Sequence, residues 1–221
     1  WSSGVCSSDL VSMRDTDRDL TSVIVVRADG PASLAELAGR RVGVGASDSP
    51  QATMIPLEDL AAAGVAVEVD GHDVLVGKHG DHVGGERDAA KALMRGEVDA
   101  ACMIDGNHLL FAQEGTLARG SSRVLTQTGA YDHCNFTVLD GAPPALLQRF
   151  TELLLDMRYD DPAVRPLLDL EGLKAWRPGR TSGYAALERA CDRFGWLQPF
   201  LRDRKSTRLN SSHSSVSRMP S

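Results

Sequence analysis

The chain has 221 residues, of which 42% are hydrophobic and 24% charged, and its formal net charge is −6. This acidic balance argues against a nucleic-acid-binding surface, because such surfaces need clustered Lys and Arg. No uninterrupted apolar stretch is long enough to span a bilayer, so we expect no direct membrane insertion. The widely spaced cysteines form neither a disulfide framework nor a paired zinc motif.

Both ends of the chain look foreign to the sequence between them. Residues 203–213 resemble the translation of a sequencing adaptor, and residues 5–10 resemble the translation of its reverse complement. We therefore set aside residues 1–10 as adaptor-like sequence and residues 203–221 as an adaptor-like disordered tail. The fold is expected to lie within residues 11–202.

Predicted strands and helices alternate through the first two thirds of the chain. Residues 11–20 are charged and predicted to be irregular, and the β-branched run at 23–26 is a predicted strand. A capping box at Ser33 and Glu36 predicts a short helix that ends at Gly39. Further predicted elements are a strand at 42–46, a helix at 50–63, a weak strand at 65–69, a glycine-rich loop at 71–85, a helix at 86–95, a strand at 98–104, a helix at 108–114, strands at 123–126 and 136–139, and helices after Pro143. This order predicts an α/β fold with a largely parallel sheet.

The most informative stretch joins the strand at 42–46 to the helix that follows it. Ser47, Asp48 and Ser49 come directly after the strand, and Pro50 then suits the first helical turn. Hydroxyls and the positive end of a helix would meet at the carboxyl end of a strand, an arrangement that binds anions. The alternative is an ordinary turn in which the serines only cap the helix.

A second set of residues suggests a metal site. His79, His82 and Glu86 have ligand types and spacing that would suit a metal ion. Asp105, His108, His133 and Cys134 are further ligands that would complete it. With such a site the chain would be a metal-dependent enzyme or a protein that binds a metal or a metal chelate. The alternative is a glycine-rich surface loop with solvated histidines.

Cys134 and His133 are neighbours in sequence, which invites comparison with a thiolate–imidazole pair. Adjacent residues of an extended segment point in opposite directions. We therefore expect that these two side chains do not pair.

Four segments, taken in order, resemble the type II substrate-binding proteins of ABC transporters, in their phosphonate/phosphate-like branch. They are residues 23–27, the Ser-Leu-Ala-Glu-Leu-Ala-Gly-Arg-Arg-Val-Gly-Val run at 33–44, the serine-rich helix start at 47–56, and the helix–Gly–x–Val-Asp-Ala-Ala–strand–Asp pattern at 89–105. The resemblance covers most of residues 27–154.

The resemblance implies a type II periplasmic-binding-protein-like α/β fold, with two lobes joined by two crossing strands at 23–26 and 136–139. Residues 11–30 would belong to a partial first lobe and the first crossing strand, residues 31–128 to the second lobe, and residues 129–202 to the return strand and helices of the first lobe. The first lobe would then be incomplete. The resemblance also implies an ABC transporter permease as partner, no catalysis and no cofactor. The expected location is periplasmic, or extracellular with a lipid anchor.

The resemblance places an anion site at the start of the serine-rich helix. Ser47 and Ser49 match the hydroxyl anion binders of the branch, and Gln51 lies beside them. Asp48 departs from the pattern, because a third hydroxyl is usual there. A carboxylate at this position would repel a dianion unless it points away or meets a ligand amine.

Two acidic residues would lie near the same ligand. Asp105 matches an acidic residue that pairs with the ligand's amino group, and Glu86 stands where the branch carries a histidine. A carboxylate cannot donate a hydrogen bond to a phosphonate oxygen. The expected ligand is therefore small and anionic or zwitterionic, with a cationic or multiply donating part rather than bare phosphate.

Overall fold

A computed structural model describes residues 10–73, 82–138 and 141–196, which form two sheets flanked by helices. The larger sheet has five strands in the order β4-β3-β5-β2-β6. Their bounds are β2 Ser22–Arg27, β3 Arg41–Val44, β4 Glu68–Gly71, β5 Ala100–Ile104 and β6 Ser122–Gln127. The three-stranded sheet has the order β7-β1-β8, with β1 Leu10–Arg14, β7 Phe136–Thr137 and β8 Trp176–Pro178.

The five-stranded sheet is mixed, which corrects the prediction of a largely parallel one. β3 pairs in parallel with β4 and β5, whereas β2 pairs antiparallel with β5 and β6. The β-branched run of β2 is buried on both faces of the sheet. Val23 and Val25 join one core, while Ile24 and Val26 join the other, as alternation along a strand requires.

Helices cover both faces of this sheet. A π-helical turn, Pro50–Met54, leads into α1 Ile55–Ala62; the other two helices are α2 His82–Arg95 and α3 Asp105–Glu114. Leu93 of α2 and Phe111 of α3 are fully buried in the core that contains Val23. Leu57 and Leu60 of α1 pack into the opposite core. We call this sheet with α1, α2 and α3 the larger lobe.

The smaller lobe consists of the three-stranded sheet with α4 Pro144–Leu155 and α5 Arg165–Leu170. The prediction that residues 11–20 are irregular was wrong for residues 11–14, because they belong to β1, in which Met13 is buried. β1 begins at Leu10, whose partner is Thr137. The segment set aside as adaptor-like therefore reaches one residue into the fold.

Two segments connect the two sheets, and they differ from the crossing strands that were predicted. Residues 23–26 lie inside the five-stranded sheet, and residues 136–137 already belong to the smaller sheet. The chain passes between the sheets at residues 15–21 and 128–135, which we call the crossing segments. Leu20 and Tyr131 pair there in an isolated antiparallel bridge. Leu139 lies outside the described residues.

The last described helix, α6 Ala185–Phe194, returns to the larger lobe and packs on α1. Arg193 of α6 forms an ion pair with the buried carboxylate of Glu58 on α1. The prediction that residues 129–202 all belong to the first lobe is therefore corrected for α6. The remaining division of the chain into lobes stays a prediction.

Candidate ligand-binding site

One edge of the five-stranded sheet gathers the residues of the candidate site. β3 and β5 are parallel, so both end at this edge. β2 is antiparallel to β5, and its first residue, Ser22, pairs with the last residue of β5, Ile104. Gln127, the last residue of β6, pairs with Val23 beside it. Both crossing segments therefore leave from the edge at which β3 and β5 end, which we call the crossing edge. Ligands of open α/β sheets bind outside the carboxyl ends of the strands.

Ser49 caps the turn that follows β3. Its Oγ accepts a hydrogen bond from the Ala52 N–H at 3.1 Å, and the side chain is fully buried. Thr53 Oγ1 donates to the Ala46 carbonyl at 2.8 Å, which closes the turn from the other side. Ser49 therefore caps the turn, as expected from the alternative interpretation of the sequence in which the serines are helix caps.

Ser47 and Asp48 are exposed beside this cap. Ser47 lines a cavity of about 360 Å³ whose wall also includes Thr53, Phe194 and Trp196. Of the two serines predicted to bind an anion, Ser47 is thus the one that is accessible in this structure.

Glu86 lies within α2, which begins at His82 and not at Glu86 as predicted. Its side chain is fully buried, and its Oε2 accepts hydrogen bonds from the Ile104 N–H at 3.2 Å and from Asn107 Nδ2 at 2.6 Å. Glu86 Oε1 is buried and has no hydrogen-bond partner among the described residues. Burial raises the pKa of this carboxyl to about 7, against the lowering effect of its two donors.

Two glycines allow close packing around the end of β3: Gly85 lets α2 approach, and Gly45 lets the following turn approach. A Cβ on Gly85 would lie 2.4 Å from the carbonyl oxygen of His72, and a Cβ on Gly45 would lie 2.8 Å from the Ala52 Cβ. Both distances are shorter than van der Waals contact. Gly85 therefore permits the close approach of α2 that buries Glu86.

A hydrogen-bonded group that the sequence did not reveal connects this turn to the second crossing segment. Ser22 Oγ lies 2.6 Å from the Gln51 carbonyl oxygen, to which it donates, and 2.6 Å from the Tyr131 hydroxyl. Tyr131 is almost fully buried, and burial is the main reason that its pKa is raised; the charges of Glu86 and Asp105 raise it further. Gln51 Oε1 is buried and unpartnered within the described residues.

Asp105 is the first residue of α3 and is half-buried. Its Oδ2 accepts a hydrogen bond from Thr21 Oγ1 at 2.7 Å, and its Oδ1 accepts one from the Gly106 N–H at 2.6 Å. Gln127 Nε2 donates to the same Thr21 hydroxyl at 2.7 Å. Asp105 thus ties α3 to the first crossing segment.

Of the residues predicted to bind the ligand, the crossing edge holds Gln51, Glu86 and Asp105. They are connected through five hydrogen-bonding residues that the sequence analysis missed: Thr21, Ser22, Asn107, Gln127 and Tyr131. Within the described chain, no Lys or Arg forms an ion pair with Glu86 or Asp105. A ligand with a hydrogen-bond donor or a positive charge would compensate these carboxylates. The missed residues carry ordinary polar side chains in β2, α3, β6 and the two crossing segments, so only the fold identifies them.

The predicted metal cluster lies largely outside the residues that the structure describes. His79 and the side chain of His82 lie outside the described residues, and the Glu86 carboxylate is bonded to Ile104 and Asn107. His108 lies on α3, and burial lowers its pKa. His133 and Cys134 lie instead with Asp17 in the crossing segments.

The expectation that His133 and Cys134 do not pair was wrong. Cys134 Sγ lies 3.2 Å from His133 Nδ1. The rule of opposite directions applies to an extended strand, and residues 132–135 take part in no strand.

A family model described as "ABC transporter, phosphonate, periplasmic substrate-binding protein" matches residues 10–184 of the chain. The chain belongs to this family. The resemblance inferred from the sequence is thereby confirmed, including the expectation of a periplasmic binding protein of an ABC transporter. The family match gives no support to a metal-dependent enzyme.

Three solved structures illustrate the fold that the chain shares. PhnD1 from Prochlorococcus marinus in complex with methylphosphonate matches with a TM-score of 0.63 and 16% identity, over 85% of this chain and 71% of that chain. XAC2383 from Xanthomonas citri bound to chloride ion matches with a TM-score of 0.64 and 20% identity, over 85% of this chain and 72% of that chain. PA3383 from Pseudomonas aeruginosa, a binding protein component of an ABC phosphonate transporter, matches with a TM-score of 0.51 and 10% identity, over 90% of this chain and 74% of that chain. At these identities the likeness shows the type II binding-protein fold.

No curated protein matches the chain. Among the described residues, no helix combines the length and the apolarity that a membrane span requires.

Proposed function

We propose that this phosphonate-family binding protein captures a small zwitterionic ligand, such as an aminoalkylphosphonate, between its two lobes at the crossing edge. Family membership and the two lobes joined by paired crossing segments support this mechanism. The lobes close on the ligand, and the binding protein then delivers it to the permease of an ABC transporter. In this proposal the protein catalyses no reaction, and transport is driven by the partner ATPase.

The observation that carries the proposal is the buried Oε1 of Glu86, which has no hydrogen-bond partner among the residues that the structure describes. A buried carboxylate oxygen without a donor is costly, and a ligand that supplies a donor removes that cost. An ammonium group is suited to this position, since a hydrogen bond between charged groups is stronger than one between neutral groups. The half-buried carboxylate of Asp105 lies at the same edge and favours the same cationic end of the ligand.

The anionic end of the ligand is assigned to the turn after β3. Ser47 is exposed there and offers a hydroxyl donor beside the amino end of the π-helical turn. Helix amino ends favour anions through their free N–H groups and their dipole. We include Asp48, Ser49 and Gln51 in the proposed site as residues that shape this turn, with Ser49 acting as its cap.

The protein acts outside the cytoplasmic membrane in this proposal, either free in the periplasm or extracellular with a lipid anchor. The family description supports a periplasmic location.

Thermal unfolding with a panel of compounds tests the ligand class. The panel contains an aminoalkylphosphonate, methylphosphonate, inorganic phosphate and an amino acid of similar size. A ligand that binds only the folded state at a hundred times its Kd stabilises it by about 2.7 kcal/mol. We expect the aminoalkylphosphonate to raise the melting temperature more than methylphosphonate or phosphate. Stabilisation by inorganic phosphate alone would contradict the proposal.

A further inference from the structure

Three reactive side chains meet where the two crossing segments run side by side. The backbone N–H of His133 donates a hydrogen bond to the backbone carbonyl of Asp17 at 2.9 Å, so the two segments are paired at this point. Asp17 belongs to the first crossing segment, and His133 and Cys134 belong to the second. One ligand-type atom from each of these residues lies within 4.8 Å of the others.

The geometry places a cation beside the sulfur. His133 Nδ1 lies 3.2 Å from Cys134 Sγ and 3.6 Å from Asp17 Oδ1. Asp17 is almost fully buried, and its carboxylate holds the imidazole in its protonated form. The nearby Asp17 carboxylate is the main reason that the pKa of His133 is raised to about 9. An imidazolium in hydrogen-bond contact with a cysteine favours the thiolate, which is the nucleophilic form.

Arg14 explains why this group suits a thiolate better than a metal ion. Its Nε and Nη2 donate to the two carboxylate oxygens of Asp17 at 2.5 and 3.0 Å. A metal ion would have to displace this guanidinium and remove the proton from His133. The guanidinium instead already balances the Asp17 carboxylate, and the imidazole of His133 lies between that carboxylate and the sulfur.

Cys134 is exposed and lines a cavity of about 300 Å³ at the surface. Phe136 and Trp176 form an apolar wall of this cavity, with ring centroids 5.2 Å apart. Ser12 lies on the same wall with a fully buried side chain, and its Oγ has no hydrogen-bond partner among the described residues. The cavity thus offers room, an apolar wall and an unused polar atom to a group attached to the sulfur.

We propose that Cys134 is a nucleophilic thiolate site that exchanges with small disulfides, with His133 as its charge partner and Asp17 as the residue that positions His133. The Cys134 thiolate attacks one sulfur of the disulfide, the disulfide bond breaks, and the other sulfur leaves as a thiolate. A mixed disulfide forms, and its attached group occupies the cavity beside Phe136 and Trp176. This chemistry is independent of ligand capture at the crossing edge.

The chain contains its own control cysteines. Cys102 is fully buried in β5, and burial raises its pKa to about 12. Cys191 is half-buried on α6, and burial raises its pKa as well. Neither should react at a comparable rate in the folded protein, because the thiolate is the reactive form. Cys6 lies outside the described residues and is replaced by Ser for the experiment.

The test measures the rate of reaction with the aromatic disulfide DTNB in the Cys6→Ser protein between pH 6 and 9. We expect one fast thiol at pH 6.5, reacting about tenfold faster than the same protein in urea, and we expect Cys134→Ser to abolish this phase. His133→Asn should slow the reaction and make its rate rise with pH as an ordinary thiol's does. Asp17→Asn should give a smaller change in the same direction.

The charged and titratable groups near the sulfur are His133, Asp17, Arg14, Glu171 and the Tyr184 hydroxyl, which donates to the His133 carbonyl. If circular dichroism shows that the His133 variant does not fold, the test relies on the parent protein alone, through the pH dependence of its rate of reaction with DTNB. A rate at pH 6.5 equal to that in urea would overturn the proposal. Protection of Cys134 by stoichiometric Zn²⁺, reversed by a chelator, would also overturn it and assign a metal site.

Discussion

Replacing Glu86 with Gln should remove a pH dependence of stability that the structure assigns to one buried carboxyl. The pKa of Glu86 is about 7 in the folded protein, against an ordinary value of 4.5. The folded state therefore binds the proton more tightly than the unfolded state does. Stability contributed by protonated Glu86 is present below pH 4.5, falls as the pH rises through the window from 4.5 to about 7, and is lost above it.

The size of the effect follows from the two pKa values. A difference of one pKa unit corresponds to about 1.4 kcal/mol, so the shift of Glu86 corresponds to about 3 kcal/mol at pH 8. Glu86→Gln keeps an oxygen that can accept from the Ile104 N–H and Asn107, but it has no charge to bury. We therefore expect the variant to be more stable than the parent by up to about 3 kcal/mol at pH 8, and by less than about 1 kcal/mol at pH 5.

Urea unfolding of the two proteins at pH 5, 6, 7 and 8 measures this difference. Glu97→Gln is the matched control, because Glu97 is an exposed glutamate whose pKa is lowered by its hydrogen bond with Arg95. The control should not reproduce the gain at high pH. Parallel pH profiles for the parent and Glu86→Gln would refute the reasoning and would mean that Glu86 is ionised across the window.

Three further predictions address the turn, the crossing edge and the tail. Ser49→Ala should lower stability by about 1 kcal/mol in urea unfolding, because it removes a cap, whereas Ser47→Ala should weaken ligand binding by about 1–2 kcal/mol in calorimetry without that loss. Equal stability losses in both variants would contradict this division of roles. Ser22→Ala should cost about 1–3 kcal/mol, because it leaves the buried Tyr131 hydroxyl without its partner, and an unchanged urea midpoint would refute that assignment. Deleting residues 203–221 should leave the melting temperature unchanged, and a fall of several degrees would show that the tail packs on the fold.

The sequence was most informative where local chemistry decides the structure. The β-branched run at 23–26 does form a buried strand, and Ser49 followed by Pro50 does start a helical turn with a serine cap. Gly64 ends the first long helix with a positive φ, as expected for a residue after a helix. These features depend on few neighbours, so spacing and residue type predict them.

The path between the lobes could not be predicted in the same way. The run at 23–26 resembles any strand, and nothing local shows that it pairs with β5 and β6 inside one sheet. β1 was missed because the strand has only five residues and adjoins a charged segment. Its burial arises from pairing with β7 and β8, which lie more than a hundred residues away.

Glu86 shows how the tertiary structure changes the role of a predicted residue. Gly84 and Gly85 are poor helix formers, so the helix was predicted to begin after them. In the fold they lie in the first turns of α2, where Gly85 permits contact with the His72 carbonyl. Glu86 is consequently buried beside the end of β5, and its role as a ligand-binding residue stays a proposal.

Calorimetric titration with an aminoalkylphosphonate at pH 7.5 tests most directly whether Glu86 receives a donor from the ligand. The parent protein and Glu86→Gln are compared, with Glu97→Gln as the matched control and methylphosphonate as the ligand without an amino group. We predict that Glu86→Gln binds the aminoalkylphosphonate at least tenfold more weakly, which corresponds to about 1.4 kcal/mol, and binds methylphosphonate as the parent does. Equal affinity of the parent and Glu86→Gln for the aminoalkylphosphonate would contradict the account.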